Sequence, residues 1–249
     1  MKVIVNADDF GINSFVTKEI ERLIEVGAIS STSIMANGDS LDEVKAFVPL
    51  HPEISFGVHL CLSEYDSLTK SSVFFKHGIT NENGEFVKLA IFKVKHFDDE
   101  LKLALEAELT AQIQRVKMLG VPVSHCDSHH HVHTIPSLCG IFAKVMKQEG
   151  VTAIRRCWTP QSFKSKINFI SRFRKLYVDR FYGRSFSMTD ALFSYRQMSA
   201  VIGADDYLIE LMCHPGHPGQ IYKDEIVLVE SMTLLDSHSV ELISYMDIK

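Results

Sequence analysis

Apolar positions along the chain follow two alternating rhythms. Short β-branched or continuous apolar runs recur at Lys2–Ala7 (KVIVNA), Ser31–Asn37 (STSIMAN), Ile54–Leu62 (ISFGVHLCL), Val121–Asp127, Val151–Cys157 (VTAIRRC) and Tyr207–His214 (YLIELMCH). Each run predicts a strand. Between them, apolar residues recur at three and four. Asn13 or Ser14 caps a helix running to about Val26, with Ile20, Leu23 and Ile24 inward, Glu19, Glu21 and Arg22 outward, and Gly27 as its stop. Leu41–Leu50 predicts a short helix, ended before Pro52. Asp98 and Asp99 open a strong helix through Met118, with Gly120 at its end. Ile135–Pro136 begins a helix to about Gln148, closed by Gly150, and Ser237–Met246 reads as a closing helix.

Strand and helix alternate from end to end without a repeat, a low-complexity tract or a linker. That alternation predicts an α/β fold with a parallel sheet, in a single domain over residues 1–249. A barrel or partial barrel is the first choice and an open doubly wound sheet the second. Both place functional groups at the C-terminal ends of the strands. The rhythm breaks at about 63–97, where Asn81-Glu82-Asn83-Gly84 signals a turn and no helical period is sustained. A long excursion of this kind predicts a functional flap near the site rather than a second domain.

Composition narrows the function classes. With 46% hydrophobic and 23% charged residues, the chain has the make-up of a globular protein with a sizeable core. A net charge of -5 argues against nucleic acid as the main partner. The run Lys164–Arg184 is locally basic with interleaved aromatics. It reads as a solvated amphipathic helix, with an anion-binding patch as the alternative. The five cysteines are odd in number and form no C-x-x-C, and no leader precedes the first strand. No apolar run approaches the ~20 residues that span a bilayer. The expectation is a reduced, soluble, cytoplasmic protein that meets no membrane.

Candidate chemistry concentrates in Ser124–His133, which holds five of the twelve histidines around Asp127. Imidazole and carboxylate are the usual ligands of a catalytic divalent metal. If Val121–Asp127 is a strand, His125, Asp127 and His129 share one face. The first strand ends in Asp8 and Asp9, which strand alternation points opposite ways, so that one could bind metal while the other acts as a base. The third strand presents His59 on the face of Gly57 and Cys61, and the late strand ends in His214. Glu210, four residues earlier, would lie deeper and pair with Arg155 or Arg156.

Four segments carry a resemblance: Asn6-Ala7-Asp8-Asp9-Phe10-Gly11, Gly57-Val58-His59-Leu60, Asp127-Ser128-His129-His130-His131-Val132-His133 and Met212-Cys213-His214-Pro215. In this order they resemble the motifs of the YdjC-like (ChbG-type) carbohydrate deacetylases. The resemblance implies a deformed (β/α) barrel of the polysaccharide-deacetylase-like kind, and a metal-dependent enzyme that removes acetyl groups from N-acetylated sugars such as chitooligosaccharides or diacetylchitobiose. It implies Asp9, His59 and His129 as metal ligands, Asp8 as general base and His214 as general acid. Asp127, His131, His133, Arg155 and Glu210 would orient ligands or substrate. It implies Mg²⁺, whereas the donor types suit Zn²⁺, Co²⁺ or Mn²⁺. It points to a small acetylated sugar as the partner, and to a homodimer. Two other readings stay open: a metal-dependent phosphoesterase, and a sugar-binding protein without turnover. Asp8 and His214 argue against the latter, because a binder needs neither a base nor an acid.

Overall fold

The computed structural model describes residues 1–157, 169–194, 207–216 and 240–248. The first strand, β1 (Lys2–Phe10), is buried at every position after Lys2. Such a continuous apolar run belongs to a parallel strand covered on both faces. Helix α1 (Ser14–Glu25) follows, its first turn closed by the Asn13 side chain accepting from the Val16 amide. Then come β2 (Ser31–Ile34), α2 (Leu41–Phe47), β3 (Ser55–Leu60), α3 (Ser72–Lys76), α4 (Asp99–Met118), β4 (Val123–Ser128), α5 (Cys139–Gln148), β5 (Ala153–Ile154), α6 (Phe169–Tyr182), β6 (Ala191–Ser194), β7 (Leu208–Cys213) and β8 (Glu241–Leu242).

All pairings between these strands are parallel, in the order β5-β4-β3-β2-β1-β7-β6. The two outer members approach each other through one segment. Ser187 exchanges backbone hydrogen bonds with Thr152 and Ile154 at β5, and four residues later the same segment becomes β6 against β7. The result is a deformed half-barrel in a single domain. All strand C-termini lie on one rim, where the chemistry-bearing residues cluster. No helix among the described residues is long and apolar enough to cross a membrane.

Three expectations change. The expected closing helix is absent from residues 240–248: Glu241–Leu242 pairs with Lys2–Val3, and Tyr245–Asp247 forms a single 3-10 turn. Its residues up to 239 lie outside the described ones. Pairing wins there because the lower edge of β1 is open beneath β2, and because Tyr245 stacks on His125 with ring centroids 3.8 Å apart. Secondly, the stretch expected to be irregular contains α3, capped by Ser71. Thirdly, α5 starts at Cys139, the residues after Pro136 forming a turn instead. Of the basic stretch, Lys164 and Lys166 lie outside the described residues, as do 195–206.

Helix α4 does more than pack. Its first turn is held by the Asp98 cap and carries Asp99 and Glu100, favourable at a helix N-terminus. Its inner face buries Leu101, Leu105, Leu109, Ile113 and Val116, but also Glu108 and Gln112. Glu108 accepts hydrogen bonds from the Leu68 and Thr69 amides, the Thr69 hydroxyl and the Gln112 amide. Gln112 pairs with both the N–H and the C=O of Cys61. The loop leaving β3 is therefore fastened to a helix on the outside of the barrel.

Gly57 is fixed by contact. A Cβ placed there would stand 2.4 Å from the His125 ring, which is sandwiched against Tyr245. Gly57→Ala should therefore destabilise the fold by about 1–3 kcal/mol. Gly140→Ala, in α5 with no atom within 4 Å of its built Cβ, should be neutral or stabilising by up to about 1 kcal/mol. Denaturant midpoints of the two variants check the contrast.

Candidate active site

The rim of the barrel assembles its polar groups from five strand ends. β1 delivers Asp8 and Asp9, but not to opposite faces as alternation requires. Asp9 has φ 70, and the β1–β2 register shifts between Ala7 and Phe10. The left-handed residue breaks the two-residue period, so both carboxylates line one cavity of about 590 Å³ together with His59, Glu64, Tyr65, Lys88, Ser128, His129, His130, His131 and His214.

At its floor Asp9, His59 and His129 meet. Asp9 Oδ1 lies 3.3 Å from His59 Nε2 and 3.0 Å from His129 Nδ1. Each histidine turns its other nitrogen to a second carboxylate. His59 Nδ1 sits 2.7 Å from Asp127 Oδ1, and His129 Nε2 sits 3.3 Å from Glu64 Oε2. Carboxylate–imidazole pairs of this kind fix ring orientation and raise ligand basicity. His129 has left β4 and begins a 3-10 turn, so its approach to the site comes from that turn rather than from sharing a strand face with Asp127.

Beneath the floor lies Arg155, completely buried just after β5. Its two terminal nitrogens grip Asp8 at 2.7 and 2.6 Å, one of them also meets Asp127 at 2.7 Å, and its Nε meets Glu210 at 2.7 Å. Asp8, His59 and Asp127 also form a metal-sized cluster, but the guanidinium already supplies a cation beside its two carboxylates. Glu210 additionally accepts from the Tyr245 hydroxyl at 2.6 Å. Asp8 faces His214 as well, with Oδ2 and Nε2 3.5 Å apart.

The charges sort the histidines. Burial disfavours a charged His59, yet Asp127, Asp8 and Asp9 outweigh it and push its pKa up to about 9. Burial holds His131 and His130 down to about 4 and His125 to about 3, and His133 well below its usual value. Burial would raise Asp8, but the Arg155 guanidinium wins and holds it below the ordinary carboxylate range, and Asp127 is lowered in the same way. Burial pushes Glu210 up against the pull of Arg155.

Of the residues singled out from sequence, Asp8, Asp9, His59, His129, His131 and His214 line the cavity, whereas Asp127, Arg155 and Glu210 support it from below. His133 is buried away from the cavity, its Nδ1 paired with Ser128 Oγ and its carbonyl accepting from Tyr182. Sequence reasoning missed Glu64, which sits in the excursion without a motif. It also missed Ser33, whose hydroxyl donates to Asp127 Oδ2 at 2.9 Å. The polar Ser31-Thr32-Ser33 run inside a buried strand was the available signal.

The pocket can hold a divalent ion, because one carboxylate and two imidazoles converge there amid a surplus of negative charge. The chain is similar to several known proteins. A carbohydrate deacetylase of Vibrio parahaemolyticus is 31% identical over 221 residues, 88% of this chain and 80% of that protein. A chitooligosaccharide deacetylase of Citrobacter koseri is 27% identical over 94% of this chain and 89% of its own length. The crystal structure of a candidate cellobiose-phosphate cleavage protein from Enterococcus faecalis V583 superposes with a TM-score of 0.78 at 20% identity, covering 98% of this chain and 97% of that one. A peptidoglycan N-acetylglucosamine deacetylase shares the fold more distantly, with a TM-score of 0.50 at 11% identity over 98% of this chain and 85% of that one. The sequence model described as YdjC-like protein matches residues 2–243, and with that span covered the chain belongs to the YdjC-like family.

Proposed function

We propose that this protein is a divalent-metal-dependent carbohydrate deacetylase that hydrolyses the N-acetyl amide of amino sugars, with chitooligosaccharides of the diacetylchitobiose type as the substrate class. The observation that carries this reading is the convergence of Asp9, His59 and His129 within ligand distance of one another, beside the Asp8–His214 pair. The names of the relatives support the substrate class.

An amide is a poor electrophile and its amine leaves only once protonated. A divalent ion held by Asp9, His59 and His129 would polarise the acetyl carbonyl and acidify the attacking water. The chain's own groups then move protons. Asp8 stays ionised because Arg155 holds it so, and its Oδ2 faces the cavity's His214. It takes the water's proton. A carboxylate held this low is a weak base, so it suits only a water already made acidic. His214 donates to the departing nitrogen, a contribution of ~10²–10⁴-fold. Asp127 and Glu64 keep the two ligand rings turned toward Asp9.

Substrate length has a structural correlate. A second cavity of about 360 Å³ shares His130 and His131 with the first and is lined further by Phe92, Arg174 and Lys175. An aromatic face beside cationic donors suits a second sugar ring. The donor set favours zinc, cobalt or manganese, while the family likeness points to magnesium.

His59→Ala and His129→Ala should each lose bound metal and acetate release while circular dichroism remains native; unchanged metal stoichiometry in both sinks the ligand assignment. Asp8→Asn should keep the ion and lose turnover by ~10²-fold or more, and an active variant removes Asp8 as base. Screening N-acetylated mono- and disaccharides for acetate, with phosphate release from sugar phosphates in parallel, tests the reaction class. Phosphate without acetate would replace the deacetylase reading with a phosphoesterase.

A further inference from the structure

Glu64 gathers a second set of ligand atoms at the cavity mouth. Its Oε2 lies 3.3 Å from His129 Nε2 and 3.8 Å from His130 Nε2. The three residues together offer donors within 4.8 Å of one another. Donors held at ~2.0–2.2 Å around a tetrahedral zinc ion stand about 3.4 Å apart, so these separations bracket a zinc-sized gap.

Each member is already oriented. His130 pairs its Nδ1 with Ser63 Oγ at 2.9 Å, which fixes the ring and leaves Nε2 toward Glu64. The left-handed backbone of His130, with φ 53, folds its ring back beside His129, with centroids 4.2 Å apart. Glu64 pairs its other oxygen, Oε1, with Lys88 at 3.1 Å. Lys88 thus holds the carboxylate without covering Oε2. All three residues line the cavity, and Glu64 and His130 are half-buried. An ion entering from solvent can keep a water on its open side.

We propose that Glu64, His129 and His130 form an outer site for a zinc-like divalent cation, distinct from the inner trio and sharing His129 with it. Two imidazoles and one carboxylate select such an ion over magnesium or calcium. Because His129 presents Nδ1 to Asp9 and Nε2 to Glu64, a ring bound through both nitrogens must release its N–H proton to solvent, and an ion in the outer site draws on a ring that the inner site needs. It also stands in the path to the floor. Occupancy of the outer site therefore inhibits whatever reaction the cavity runs. The inner site, deeper and closer to Asp8 and Asp127, fills first.

Zinc titration of the full-length protein by isothermal calorimetry, with equilibrium dialysis for stoichiometry, tests the assignment. The wild type should take up two ions, one tight and one weaker. His130→Ala and, independently, Glu64→Gln should each lose the weaker one and keep the tight one. His59→Ala should lose the tight one and keep the weaker, so failure of the inner site and failure of the outer site read differently. In acetate-release assays, excess zinc should inhibit the wild type, and His130→Ala should raise the half-inhibiting concentration by ~10-fold or more. A wild type that binds one zinc ion, or variants at 64 and 130 that both retain two, overturns the proposal.

Discussion

Arg155 is the constraint on which the rest of the rim depends. A guanidinium sealed from solvent cannot shed its charge, and losing one partner from a buried ionic network costs roughly 3–5 kcal/mol. Here it leaves the short β5 and binds carboxylates on β1, β4 and β7 at once. β1 and β7 are neighbours in the sheet, but β3 and β2 separate β4 from them. The contact therefore acts across the barrel interior, setting the distance between its walls. Without it, Asp8, Asp127 and Glu210 would face one another as uncompensated charges, and the interior would have to swell or hydrate.

That single cation also leaves an imbalance. Arg155 neutralises one charge among several carboxylates, and the remainder falls on His59. This explains why the pKa of one histidine of the cluster is pushed up while burial holds its neighbours down. The same field makes Asp8 a poor proton acceptor. Metal affinity, the charge of His59 and the basicity of Asp8 are thus three readings of one electrostatic field, and none can be tuned without moving the others.

Much of this was legible in the sequence, for definite reasons. Buried parallel strands announce themselves as unbroken apolar runs, and α4 carries its own start and stop in Asp98 and Gly120. Motif residues at strand ends were found because the alternation of elements says where strand ends lie. What escaped was set by tertiary contact. β6 is too short to show a period, and the closing segment pairs with β1 only because that edge is vacant below β2. The Asp8–Asp9 pair defeated the alternation rule because a non-glycine residue adopts a left-handed conformation, which nothing local in NADDFG requires. Glu64 was invisible because its partner is 65 residues away.

The fastening of the β3 loop to α4 means that the cavity wall is not an independent flap. Glu64 and Tyr65 lie between Cys61 and Leu68, anchor points that are both set by side chains of one outer helix. The precision of the rim is thereby borrowed from the far side of the scaffold. A disturbance of helix packing there would be transmitted to the chemistry as misalignment, although no atom of that helix's buried carboxylate lines the pocket.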